Sequence, residues 1–293
     1  MYPTRRLRVC KRSVSKPPAH DSWGSLVMQL SEHFNFSAGV KRLRSASFAD
    51  VERWISTFPA VLGAPPTLAT TDAICRVFPD TTRAQAEALE AELSDDRSLL
   101  SQLEGTMLQK RNHPLVWQEW HPFLYGAIRI MRPKVVFETG VFDGRSSALI
   151  LAAMSRNNCG ELVSIDLPAR VTIPGATEKM FKGAQTNLPE GCDPGWLVPE
   201  HLCDRYRLHL GDSKELLPAL LGQYGQIQVF MHDSLHTFEH QSFEYRTAWP
   251  HIETHGLLMS DDIFWSAAFH RFSKQKHVPY VNVGDFGVIR VTR

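Results

Sequence analysis

The sequence predicts an α/β protein, a doubly wound, mostly parallel seven-stranded sheet preceded by a helical region. Three observations predict it. From Pro122 onward, apolar runs of strand length alternate with helical stretches, and repeated βα units imply a parallel sheet. The first of these runs, Val135-Val136-Phe137, is apolar on successive residues, as in a strand buried on both faces. The pattern closes with two strand-like runs around Gly284–Asp285, a turn that adds an antiparallel strand.

The elements follow in order. Residues 1–20 carry Arg5, Arg6, Arg8, Lys11, Arg12 and Lys16 and no acid. They lack the apolar stretch of a secretory signal, so residues 1–21 read as a basic, solvated tail. Residues 22–112 read as a helical cap or oligomerisation region, with a substrate lid as the sharper alternative. Ser47 and Asp50 fit a capping box, ahead of Val51, Trp54, Ile55 and Phe58 at helical spacing. Pro65 and Pro66 mark a connector over 63–72. A long helix is predicted from Asp80 or Thr81 to about Lys110, with Leu89, Leu93, Leu100, Leu103 and Met107 as its apolar stripe.

Residues 113–293 form the main domain. Its strands are read at KVVFETG, ELVSID, RYRLHLGDS, IQVFMHDS and GLLMSDD, and then in the hairpin VPYVNVGDFGVIRV. Its helices are read at PFLYGAIRIM, SSALILAAMSR, SKELLPALLGQY and HQSFEYRTAWPHI. The link 167–203 is long, and loops of that length at a ligand edge are often lids. Phe181 and Trp196 within it could shape a pocket.

Composition bounds the function. The 293 residues carry a net charge of +1 and are 43% apolar, which excludes a wholly disordered chain. That balance gives no global case for a nucleic-acid partner, and no apolar run is long enough for a membrane span. Five scattered cysteines without a CxxC pair fit reduced thiols and a cytoplasmic location. A homo-oligomer built on the helical region is compatible with all of this.

Open α/β sheets bind ligands beyond the carboxyl ends of their strands, so the polar residues there are the candidates. Strand one runs into Glu138-Thr139-Gly140-Val141-Phe142-Asp143-Gly144-Arg145-Ser146. Gly140 and Gly144 permit a tight turn, and the helix after it offers its N–H groups. The spacing is G-x-x-x-G, not the dinucleotide fingerprint. Asp166 ends strand two, where an acid can bind both ribose hydroxyls. Asp212 and Ser213 end strand three, either near an adenine amino group or as a helix cap. Asp233 ends strand four, and Asp261 and Asp262 end strand five. Clustered acids at neighbouring tips repel unless a cation or protons compensate them, and hard oxygen ligands suit Mg²⁺ or another divalent ion. His232, His236 and His240 recur every four residues, but no single helix carries all three, which argues against zinc. His236, three residues beyond Asp233, can act as a general base, with a capping or merely hydrogen-bonded loop histidine as the alternative.

VVFETGVFDGRSS, followed by ELVSIDLP, LHLGDS, VFMHDSLHTFEH and HGLLMSDDI, resembles the class I S-adenosylmethionine-dependent methyltransferases. The closest likeness is to the small-molecule O-methyltransferase branch that includes metal-dependent sugar O-methyltransferases and cephalosporin-hydroxylase-like proteins. It covers about residues 115–293 and implies a Rossmann-like sheet of order 3-2-1-4-5-7-6. It also implies S-adenosyl-L-methionine bound by Glu138, Gly140, Gly144, Ser146, Asp166, Asp212 and Ser213. Asp233, Asp261 and Asp262 match metal-binding acids, and His236 and Asp233 are the candidate catalytic groups for a small-molecule acceptor. The usual G-x-G is here Gly140-Val141-Phe142. A hydroxylase or oxidoreductase on a similar fold, or a non-catalytic nucleotide-binding protein, is the alternative.

Overall fold

A computed structural model describes residues 64–168 and 188–292. The expected basic tail, the capping box at Ser47 and Asp50, and Phe181 lie outside the described residues.

The described part of the helical region holds α1 (Thr70–Val77), α2 (Arg83–Ser94) and α3 (Arg97–Arg111). The single long helix expected from Asp80 or Thr81 is thus two helices. Thr82 opens α2 with a full capping box, in which Thr82 Oγ1 accepts from the Gln85 amide and Gln85 answers the Thr82 amide. Asp95 and Asp96 then interrupt the pattern. A short acid competes for backbone N–H groups, and Asp96 accepts from the Leu99 amide at 3.1 Å to start α3. The break moves the buried stripe to Leu99, Leu103 and Met107, in place of Leu100.

The main domain runs α4 (His121–Met131), β1 (Val135–Thr139), α5 (Arg145–Asn157), β2 (Glu161–Asp166), β3 (Tyr206–Leu210), α6 (Ser213–Tyr224), β4 (Ile227–His232), α7 (Phe238–Ala248), β5 (Ile252–Ser260), α8 (Ala268–Lys276), β6 (Val281–Val283) and β7 (Phe286–Arg290). The sheet order is β3-β2-β1-β4-β5-β7-β6, as the family resemblance implied. β3 to β5 pair in parallel, and β7 is antiparallel to both neighbours. Pro250 ends α7 in a single 3₁₀ turn, so β5 starts at Ile252, earlier than expected. α8 was not foreseen because its sequence, AFHRFSKQK, is largely polar, yet it buries Phe269 and Phe272.

Alternate strand residues feed two cores. Val136, Val229, Met231, Leu257 and Met259 face the layer of α4 and α5, on which α1 to α3 also pack. Phe137, Val163, Phe230 and Leu258 face α6, α7 and α8. Strands covered on both faces account for the continuous apolar runs. The edge strand β6 is met by the segment before α1. The Leu68 amide donates to Asn282 O at 2.8 Å, and Arg290 donates to Val77 O at 2.9 Å.

Candidate active site

Three strand tips lie in one row. The Asp233 amide donates to Thr139 O at 2.7 Å, and the Asp261 amide donates to His232 O at 2.9 Å. The ladder therefore continues past β1, β4 and β5 and sets Asp233 and Asp261 side by side on adjacent strands.

On one side of this row is the glycine turn. Gly140 has φ +82°, and a Cβ there would lie 2.0 Å from the Asp233 carbonyl oxygen. Gly144 has φ +93°, and its Cβ would lie 2.8 Å from Gly195 Cα. Both glycines are required by backbone packed against the turn. Phe142 also takes positive φ, at +52°, a conformation that costs an L residue about 1–2 kcal/mol. Asp166 holds it there: Oδ2 accepts from the amides of Val141 at 2.8 Å and Phe142 at 2.7 Å. Asp166 Oδ1 accepts from the Leu167 amide at 2.6 Å. Burial raises the Asp166 pKa, and these amides oppose that shift. A carboxylate offers about four acceptor positions, so room remains for a ligand hydroxyl.

Glu138 is fully buried and accepts from Ser146 at 2.5 Å, Ser147 at 2.6 Å and Ser164 at 2.7 Å. Burial raises its pKa against those three hydroxyls. Glu138 and the Ser146 hydroxyl thus brace the turn from below. Asp212 caps α6 by accepting from the Lys214 amide at 2.8 Å, which is the capping alternative. Ser213 turns inward, donating to Glu244 at 2.6 Å.

Glu244 was missed by sequence reasoning. It is buried on α7 and collects Thr139 Oγ1 (2.5 Å), Ser213 Oγ (2.6 Å), Ser234 Oγ (3.0 Å), His232 Nδ1 (2.6 Å) and His240 Nε2 (2.8 Å). Burial alone would raise its pKa; the His232 ring and the surrounding donors outweigh that and hold it well below the usual carboxylate range. Two of the three periodic histidines are thus committed to a carboxylate. The i, i+4 pair His240–Glu244 was the available signal.

On the other side of the row lie the acids. Asp261, Asp262 and Asp285 each bring a carboxylate oxygen within 4.8 Å of the others. Asp285, from the β6–β7 turn, completes this group, and Asp233 is not one of the three. Asp233 is linked to it by His236, whose Nε2 lies 3.6 Å from Asp233 and whose Nδ1 lies 3.8 Å from Asp262. Burial and then the Asp262 charge push Asp233 well above the usual range. Burial, then Asp233, Asp262 and Asp285, do the same to Asp261. His236 Nε2 and Asp261 Oδ1 are buried without a hydrogen-bond partner. Hard oxygen donors and such orphaned atoms fit a divalent ion with substrate or water beside it.

Residues 137–263 match the family model of a methyltransferase domain. No curated protein is significantly similar to the chain. Among solved structures, the chain is similar to the O-methyltransferase TomG of Streptomyces achromogenes, at 14% identity and TM-score 0.48 over 70% of this chain and 96% of that one. It is also similar to an O-methyltransferase of Bacillus cereus, at 14% identity and TM-score 0.47 over 70% and 97%. A third similar structure is the Podospora anserina methyltransferase PaMTH1, at 14% identity and TM-score 0.46 over 73% and 97%. Residues 137–263, which span most of β1 through β5 and the acids at their tips, are thus the part of the chain that is similar to a methyltransferase domain, and they lie in a sheet of order β3-β2-β1-β4-β5-β7-β6.

Proposed function

We propose that the chain methylates a hydroxyl of a small molecule. The observation that carries this reading is His236, set between Asp233 and Asp262 one strand away from the glycine turn. A proton acceptor thus stands beside the place where a cofactor would lie.

S-adenosylmethionine, when bound, supplies an electrophilic methyl on a sulfonium. Asp166 would accept from a ribose hydroxyl, and the braced turn over 140–144 would receive the methionine part. The acceptor hydroxyl would sit over His236. His236 Nε2, with Asp233 as its neighbour, would accept the hydroxyl proton as the acceptor oxygen takes the methyl from the sulfonium, leaving a methyl ether and S-adenosylhomocysteine. Alignment is the largest service such a site renders, because the methyl is already activated. Asp261, Asp262 and Asp285, with Asp233 adjacent, would hold Mg²⁺ or another divalent ion, which lowers the pKa of a bound hydroxyl.

Calorimetric titration of the full chain with S-adenosylmethionine, S-adenosylhomocysteine and NAD tests the reading. Binding of the first two and not the third is expected. Binding of NAD alone, or of none of them, would overturn it.

A further inference from the structure

Among the described residues, Arg111 brings the helical region onto the glycine turn. Arg111 ends α3, thirty-two residues before Asp143 in sequence. Its Nε donates to Asp143 Oδ2 at 2.8 Å, and its Nη2 donates to Asp143 Oδ1. Asp143 is almost fully buried, and Trp196 Nε1 donates to the same Oδ1 at 2.9 Å. The Arg111 guanidinium lies 4.7 Å from the centre of the Phe142 ring and 5.9 Å from that of Trp196. Backbone from the link before β3 adds two bonds, with the Gly195 amide on Phe142 O and the Leu197 amide on Asp143 O, each at 2.9 Å.

The turn is thus gripped from two sides. Asp166 holds the amides of Val141 and Phe142 from the strand side. Arg111 and Trp196 hold Asp143 and the Phe142 ring from the outer side. The residue between these grips is Phe142, a non-glycine at positive φ, and such a conformation persists only where its surroundings over-determine it. A bidentate guanidinium–carboxylate pair fixes orientation as well as distance, which a lysine would not do.

We propose that Arg111 is a cofactor-positioning residue: acting through Asp143, it holds the β1–α5 turn in the shape that receives the methionine end of S-adenosylmethionine. The helices before the sheet then belong to the cofactor site and are more than a cover. The cofactor's identity rests on the function proposed above; the ordering of the turn does not.

Hydrogen–deuterium exchange of the cofactor-free chain separates the two. In Arg111→Ala, amides over 139–146 should exchange about ten-fold faster than in wild type, with β4 and β5 unchanged. Affinity for S-adenosylhomocysteine should fall about ten-fold. Arg111→Lys should be intermediate, and Trp196→Phe, which removes one hydrogen bond, smaller still. If Arg111→Ala fails to fold, Asp143→Asn reads the same quantities. Unchanged exchange over 139–146 would overturn the proposal, as would acceleration spread evenly through the sheet, which marks a merely structural contact. If wild type binds no S-adenosylhomocysteine, the function reading falls, while the exchange measurement still decides whether Arg111 orders the turn.

Discussion

The two sides of the β1–β4–β5 row treat their carboxylates in opposite ways. On the β1–β2 side, Glu138 takes three serine hydroxyls and Asp166 takes three backbone amides. On the β4–β5 side, Asp233, Asp261, Asp262 and Asp285 are gathered against one another, and Asp261 Oδ1 is buried with no hydrogen-bond partner. The first arrangement spends its donors on a fixed shape. The second sets acids against acids, which together with burial favours their protonated forms. Reshaping one side should therefore alter cofactor affinity, whereas neutralising the other should alter turnover.

The largest effect should come from the proton acceptor. His236→Ala is expected to lower kcat by about 10²–10⁴-fold, the usual range for a general base, with S-adenosylhomocysteine affinity nearly unchanged. Measuring both in one preparation breaks the comparison if affinity falls with turnover. Next is Glu244→Gln, which puts an amide where buried donors converge. Loss of a buried charged partner of this kind costs about 3–5 kcal/mol, to be read from urea denaturation.

Asp166→Ala removes the acceptor for three amides and for the ligand hydroxyl. Cofactor affinity should fall roughly ten-fold or more, since each lost hydrogen bond is worth about 0.5–1.5 kcal/mol. Calorimetry against the wild type checks this.

The smallest effect has an inverted sign. Asp233 and Asp261 are raised by burial and by their acidic neighbours. The folded chain therefore holds more protons than the unfolded one between the ordinary aspartate pKa and the raised folded values. Their contribution to stability falls as pH rises through that window and stays lost above it. Asp261→Asn should then stabilise the chelator-treated protein by about 1 kcal/mol at neutral pH. The same variant should lose methyl transfer if a divalent ion assists it. Thermal melts at several pH values, with chelator and with Mg²⁺, sharpen the contrast. A variant that melts lower than wild type at every pH would refute the account of a strained acid cluster.

The fold was more legible than the site, for physical reasons. β2 and α6 were bounded from the sequence alone, because a strand buried on both faces and a helix with its cap carry local signals. α8 carries a weak one, since the face it buries includes the polar His270 and Ser273 beside Phe269 and Phe272. The acids at the tips of β1 to β5 were readable because sheet topology says where strand ends meet. What each acid touches was not. Ser146 and Ser213 were expected at the cofactor, and the partners their hydroxyls have, Glu138 and Glu244, were not foreseen. Asp285 was hidden in a hairpin turn, where an aspartate is ordinary. It reaches the other acids only because β7 lies between β5 and β6.

The hairpin has a further consequence, for the order in which the chain can fold. Asn282 Nδ2 donates to Thr67 Oγ1 across 215 positions, and Arg290 donates to Val77 O across 213. Contacts of such separation form slowly, because the loop they close must first lose its freedom. On a ribosome, α1 would be translated long before β6 and β7 exist to receive the segment around it. Through that interval α1 lacks β6, while its packing with α2 and α4 can already form. The docking of α1 on β6 and the arrival of Asp285 beside Asp261 and Asp262 should therefore come late, after the contact of Arg111 with Asp143 can already form.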